Sequence, residues 1–192
     1  MRGSAAQVVC ETTTGPIVVD VYHDWAPHGA QRFLEMVTSG FFSTRIGLFR
    51  AVKNFLCQTG VAGDPAEHKR WRAKGTIPDD PQWLPMQTSK KNLKRGFVSF
   101  AGGGKNSRGT EFFFAFRDLQ LGGSPWEVPF GTLVGDASFH AMDRWYAGYG
   151  DMPGFGGHAP NQGRIYQQGV SYLENEFPDL DYIERCDVIH QR

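Results

Sequence analysis

The sequence predicts a mainly β domain, a barrel of strands capped by two helices, and three observations carry that prediction. Residues Gln7 to Tyr22 contain two β-branched runs, VVCETT and PIVVDVY, interrupted by Thr14-Gly15-Pro16, which is a hairpin signal. Residues Arg45 to Gly60 and Gly96 to Phe116 are rich in aromatic and β-branched side chains and bounded by glycine, as strands are. Two stretches carry helical spacing instead. Ala30, Phe33, Leu34 and Val37 recur along one face of Pro27 to Thr38, with Gly40 as a stop, and Phe139, Met142 and Trp145 share a face of Ala137 to Tyr146.

Composition bounds the possibilities. The chain has 192 residues, enough for one domain with a real core, and is 40% hydrophobic and 21% charged, ordinary for a globular protein. Its longest apolar runs fall well short of the roughly 18 residues that span a bilayer. The formal net charge is zero, so no global field attracts nucleic acid or anionic lipid. Met1-Arg-Gly-Ser4 resembles the start left by an expression vector, and residues 1–6 are set aside from the domain, which is read as 7–190. The compartment is not legible from such a start.

The segment Leu48 to Gly60, LFRAVKNFLCQTG, is the most informative in the chain. Arg50, Phe55 and Gln58 are one cation, one ring and one amide. On a strand entering a bend they converge on one patch, which suits an amide substrate. The order resembles the cyclophilin family of peptidyl-prolyl isomerases, which carry Phe-x-Arg-x-x-x-x-Phe-Met-x-Gln-x-Gly here, against Leu48, Arg50, Phe55, Leu56, Gln58 and Gly60. A second block, GFVSFAGGGKNSRGTEFFF, is similar to the family's next signature through Ser99, Ala101, Gly109, Thr110, Phe112 and Phe113. A third matches through Leu121, Gly123, Val128, Phe130, Gly131 and Val134. Three blocks in the family's order and spacing are far more specific than one motif.

The resemblance implies a closed antiparallel eight-stranded cyclophilin-like barrel capped by two helices, and catalysis of X-Pro isomerisation without cofactor, metal or nucleophile. Rotation about the peptide bond costs roughly 18–20 kcal/mol because it breaks amide resonance. A guanidinium held against the prolyl nitrogen stabilises the lone pair that appears only in the twisted state. Arg50 takes that role, with Phe55 and Gln58 as its catalytic neighbours. Leu56, Phe113 and Leu121 help line the proline slot, and Ala101 and Gly102 hold the flanking peptide. The plainer readings are that Arg50 only braces a loop and that Phe112 and Phe113 both belong to the core.

Departures from the family pattern bear on activity. Gln120 stands where many members have a rim tryptophan, and Glu127 falls, after a two-residue insertion, at the family's histidine, with Trp126 beside it in place to substitute for the lost ring. Glu111 replaces a glutamine, an anion able to pair with Arg50, and Gly102 replaces an asparagine. These changes predict reduced turnover and poor cyclosporin binding. The alternative is a non-catalytic peptide-binding or assembly module.

The insertion 61–94, expected as a loop, is rich in proline and charge and contains Trp71 and Trp83. Either these tryptophans anchor a protein partner or they fold back onto the barrel. The clusters His68-Lys69-Arg70-Trp71-Arg72 and Lys90-Lys91 to Lys94-Arg95 supply cations, but with neutral net charge and no recognition motif they read as solvated surface rather than a nucleic-acid site. Residues 147–163 are too glycine-rich for regular structure, and Tyr172 to Phe177 is helix-prone before a last strand. No His or Cys spacing suggests a metal. The first and last strands of the family's barrel are neighbours, which brings Cys10 near Cys186. The pair forms either a disulfide, which implies an oxidising compartment such as a secretory or organelle lumen, or two reduced thiols. Cys57 packs.

Overall fold

The computed structural model describes residues 5–81 and 92–191. The opening hairpin forms as its sequence predicts, β1 (Ala5–Thr12) against β2 (Gly15–Tyr22), with Thr12 opposite Gly15 across the turn. β1 starts two residues earlier than expected, and Ala6 is buried. Alternation is clean along β2, where Ile17, Val19 and Val21 are fully buried and their neighbours face outward, the period of two that a half-buried strand requires. Helix α1 (Pro27–Thr38) buries Ala30, Phe33, Met36 and Val37, and Gly40 beyond its end takes a left-handed conformation (φ 80°) that an L side chain resists.

The remaining strands are β3 (Ile46–Gly47), β4 (Arg50–Ala51), β5 (Leu56–Thr59), β6 (Phe97–Phe100), β7 (Phe112–Ala115), β8 (Pro129–Val134) and β9 (Tyr182–Gln191). All pairs are antiparallel, in the order β3-β9-β1-β2-β8-β6-β7-β5-β4. The two edges, β3 and β4, are separated in sequence only by Leu48 and Phe49. Gly47 and Arg50 therefore lie at most about 11 Å apart, and the chain itself joins the edges of the curled sheet. Nine strands replace the expected eight because Ile46 to Ala51 is interrupted. Counted as one broken strand it restores the expected number.

β1 and β9 are neighbours, with Cys10 directly opposite Cys186, and the two form a disulfide. Cys57 is a buried free thiol, its pKa pushed up by burial. The barrel interior is aromatic. Phe33, Phe42, Phe100, Phe112, Phe114 and Phe130 are all at most 1% exposed; Phe33 meets Phe112 edge-on at 5.5 Å, an arrangement that suits the ring quadrupoles, and packs tilted against Phe130 at 4.9 Å.

Five α-helices, not two, lie among the described residues. α3 (Asp136–Asp143) is the expected second helix and buries Met142, with Trp145 just beyond it. α2 (Pro65–Lys74) corrects the reading of 61–94 as a loop. Asp64 caps it by accepting the Ala66 N–H at 2.8 Å and Pro65 occupies its first turn, the usual start chemistry. Its weak amphipathicity hid it, since Trp71 is its one buried side chain. Trp71 is no partner anchor. It is 3% exposed, lies edge-on to Phe41 at 5.7 Å, and donates its ring N–H to Glu67. Trp83, Lys90 and Lys91 lie outside the described residues.

α4 (Gln162–Gln168) and α5 (Val170–Glu176) belong to a second, smaller core of Phe49, Val61, Ile165, Tyr172, Leu173, Leu180 and Tyr182. The glycine-rich 147–163 segment is mostly irregular, as expected, but includes one 3₁₀ turn, Pro153–Phe155, and the first residues of α4. None of the described helices is long and apolar enough to cross a membrane.

Candidate active site

Register places the predicted residues before any side chain is considered. Arg50 pairs with Gln58, Gln58 with Phe113, and Phe113 with Ser99, one row across β4, β5, β7 and β6. Directly opposed residues point to the same face, so Arg50, Gln58 and Phe113 share a side of the sheet, with Leu56 two positions along it. The intervening Cys57, Thr59, Phe112 and Phe114 point the other way and are at most 1% exposed. Phe112 is thus interior, while Phe113 stands on the Arg50 face, still 95% covered by packing around it.

The polar groups on this face form one chain of hydrogen bonds. Arg50 Nε donates to Asp151 Oδ1 at 2.8 Å, its Nη2 to Asp151 Oδ2 at 3.4 Å, and its Nη1 to Gln58 Oε1 at 3.0 Å. Gln58 Nε2 donates to Glu111 Oε1 at 3.3 Å, Tyr166 OH to Glu111 Oε2 at 2.9 Å, and Gln162 Nε2 to Glu111 Oε1. Glu111 therefore does not pair with Arg50. Gln58 stands between them, and the anion that meets the guanidinium is Asp151. Among the described residues three of the five guanidinium N–H groups are engaged, which leaves two for a ligand.

The two carboxylates differ in environment. Burial raises the Glu111 pKa, and the hydrogen bonds from Tyr166, Gln58 and Gln162 only partly offset it. Burial also works to raise Asp151, but the hydrogen bond from Arg50, with the Met152 amide and the Arg50 charge, reverses this and holds it below its ordinary value. Tyr166 is pushed up by burial and by the Glu111 charge. Its ring stacks on His68 at 4.3 Å, and beside it a pocket of about 270 Å³ opens over Glu111, Thr110, Trp71 and Arg72.

Phe55 follows a turn at Asn54 (φ 60°) and, with Gln120, Leu119, Asn92, Lys94 and Arg117, lines a second pocket of about 450 Å³. Gln120 is exposed there. Ala101 N–H donates to Glu111 O at 2.9 Å, which fixes the strand end beside the site. A Cβ built on Gly102 would stand 2.7 Å from Trp126 Cβ and 2.9 Å from its ring. The asparagine-to-glycine departure and the neighbouring tryptophan are therefore one feature, since a side chain at 102 would occupy the place of the indole. Leu121 is half-buried against the core. Glu127 is half-buried with its backbone N–H on Ser124 O, and among the described residues no hydrogen bond or ion pair joins its carboxylate to Arg50, Gln58 or Glu111.

Asp151, Gln162 and Tyr166 went unread in the sequence because no periodicity marks them. One signal was present: the glycine-rich run around Asp151. A Cβ on Gly157 would lie 1.8 Å from Asp151 O, so the run is tight because the backbone folds against that residue.

The comparisons with known proteins agree with this fold. The family described as cyclophilin type peptidyl-prolyl cis-trans isomerase/CLD matches residues 7–167, and the chain belongs to that family. It is 26% identical over 136 residues to peptidyl-prolyl cis-trans isomerase-like 3 of Neurospora crassa, covering 70% of this chain and 80% of that protein. It is 30% identical over 114 residues to the Arabidopsis thaliana isomerase CYP18-2, covering 58% of this chain and 65% of that one. A cyclophilin type peptidyl-prolyl cis-trans isomerase from Cryptosporidium parvum has the same fold, with a TM-score of 0.64 at 20% identity over 98% of this chain and 99% of its own.

Proposed function

We propose that this chain binds proline-containing segments across the Arg50, Gln58 and Phe113 face and isomerises X-Pro bonds there. The observation that carries the reading is the Arg50 side chain, only 17% exposed, its guanidinium oriented from two sides and left with two N–H groups, on the sheet face it shares with Leu56 and Phe113. Such a donor meets the prolyl nitrogen when its lone pair leaves conjugation and not before, so it acts on the transition state rather than on the bound peptide. Phe55, Leu56, Phe113 and Leu121 supply the slot for the ring, and Ala101 and Gly102 the backbone partners for the flanking peptide. Trp126, seated on Gly102, and Gln120, Glu111 and Glu127 shape the rim. Of the similar C. parvum isomerase, a structure in the presence of the dipeptide Ala-Pro has the same fold at 19% identity.

The test is exchange NMR on a short X-Pro peptide with the parent and Arg50→Ala. The expected outcome is accelerated exchange that falls about a hundredfold in the variant. Peptide binding with no acceleration in the parent would overturn catalysis and leave the binding-module reading. Cyclosporin binds weakly in this reading, because an exposed glutamine replaces the rim ring, and tight binding in a titration would refute it. An oxidising compartment belongs to the same proposal, and the Cys10–Cys186 disulfide supports it.

A further inference from the structure

The segment that follows α3 is built around Asp151, and among the described residues its carboxylate meets one side chain outside its own loop. Ala159 N–H donates to Asp151 O at 3.0 Å, Gly157 N–H to Met152 O at 3.2 Å and His158 N–H to Tyr149 O at 2.7 Å, which closes the turn. Met152 N–H donates to Asp151 Oδ1 at 2.7 Å and so aims the carboxylate. Tyr149 ties the turn to the second core, its ring edge-on to Phe177 at 5.0 Å and its hydroxyl accepting the Asp179 N–H. The carboxylate then takes the Nε edge of Arg50, while Gln58 takes Nη1. A long flexible arginine held at two points has its plane fixed, and a planar fork is directional.

We infer that Asp151 is the positioning residue of this site, holding Arg50 so that the two remaining guanidinium N–H groups face the prolyl nitrogen of a bound peptide. This rests on the isomerase reading and adds to it a residue supplied by the turn after α3 rather than by the barrel. The carboxylate touches no reacting atom. Its effect is orientation, so it acts on turnover at saturating peptide and not on peptide affinity, whereas a residue that merely supports the fold would move both or neither.

The experiment uses the full chain, with Asp151→Ala and the near-isosteric Asp151→Asn, and reads three quantities: exchange at saturating X-Pro peptide, peptide Kd by titration, and the Arg50 Nε–H signal in nitrogen-15 spectra. The expected result is turnover lower by about tenfold to a hundredfold in the alanine variant and an intermediate loss in the asparagine variant. Kd stays within about twofold, and an Arg50 signal that is sharp in the parent broadens by water exchange. Unchanged or faster turnover in folded variants overturns the inference, the latter by showing that Asp151 restrains Arg50. A Kd that rises in step with the loss of turnover also overturns it. If the parent has no turnover, the isomerase reading fails by itself and the Arg50 signal decides: broadening in the variants supports positioning, and a signal that stays sharp overturns it.

Discussion

Arg50 is held between two kinds of structure. On one side Gln58 and Phe113 stand on adjacent strands whose ladders run unbroken from Leu56 opposite Ala115 to Thr59 opposite Phe112, over an interior of packed phenylalanines. On the other, Asp151 hangs from a turn and Gln162 and Tyr166 from one seven-residue helix, α4, held by a second core of seven buried residues. A ladder fixes side chains through backbone hydrogen bonds, each supported by its neighbours. A set of turns fixes them through a few contacts that are lost together. The site therefore joins a stiff half to a softer one, and the softer half supplies two of the three side-chain donors on Glu111, Gln162 and Tyr166, and the anion on Arg50.

Attacking the barrel side should produce the largest effect. Arg108 and Asp80 form an ion pair of which neither side chain is exposed, at 2.8 Å, and Asp80 also accepts the His28 and Gly29 N–H groups at the start of α1. Asp80→Ala leaves a buried guanidinium uncompensated and is expected to cost about 3–5 kcal/mol, read as a lower midpoint in urea with the whole chain unfolding together. Leu173→Ala in the second core should cost about 2–4 kcal/mol, but with a different distribution. Hydrogen exchange is expected to quicken across 149–180 while β5 and β7 keep their protection. Equal acceleration in both regions would show that the two cores unfold as one.

Gly102→Ala probes the barrel rim alone, where Trp126 must move, and about 1–3 kcal/mol is expected, with altered Trp126 fluorescence and no change in the Arg50 signal. The finest contrast is in pH. Because the folded Asp151 pKa is lowered, its contribution is present above the ordinary value of 3.8 and lost as pH falls through its own value. Because the folded Glu111 pKa is raised, its contribution is present below the ordinary value of 4.5 and lost as pH rises through its own. Relative to the parent, Asp151→Asn should therefore flatten the acid limb of the stability curve and Glu111→Gln the limb above it. Denaturant midpoints across this range check the opposite signs.

How much of this the sequence disclosed follows the same division. The hairpin, α1, α3 and the pairing of the first and last strands were legible because alternation, helical spacing and block order are local patterns. Arg50, Phe55 and Gln58 were legible for the same reason, and the structure brings Arg50 and Gln58 into contact. The partner of Arg50 was not, since Asp151 lies 101 residues away in the chain within a turn whose glycines serve close approach rather than any period. α2 escaped because a helix with one buried tryptophan has almost no apolar stripe to detect. Glu111 lies near Arg50, as its place in the sequence suggests, but meets Gln58 instead, and one amide side chain between two charged groups leaves no trace in spacing.

The bond between Cys10 and Cys186, 176 residues apart, makes a covalent ring of nearly the whole molecule. A single cut by a protease at any exposed turn within that ring opens the polypeptide without releasing a fragment. The nicked protein keeps its mass, apart from one added water, until a reductant separates the pieces.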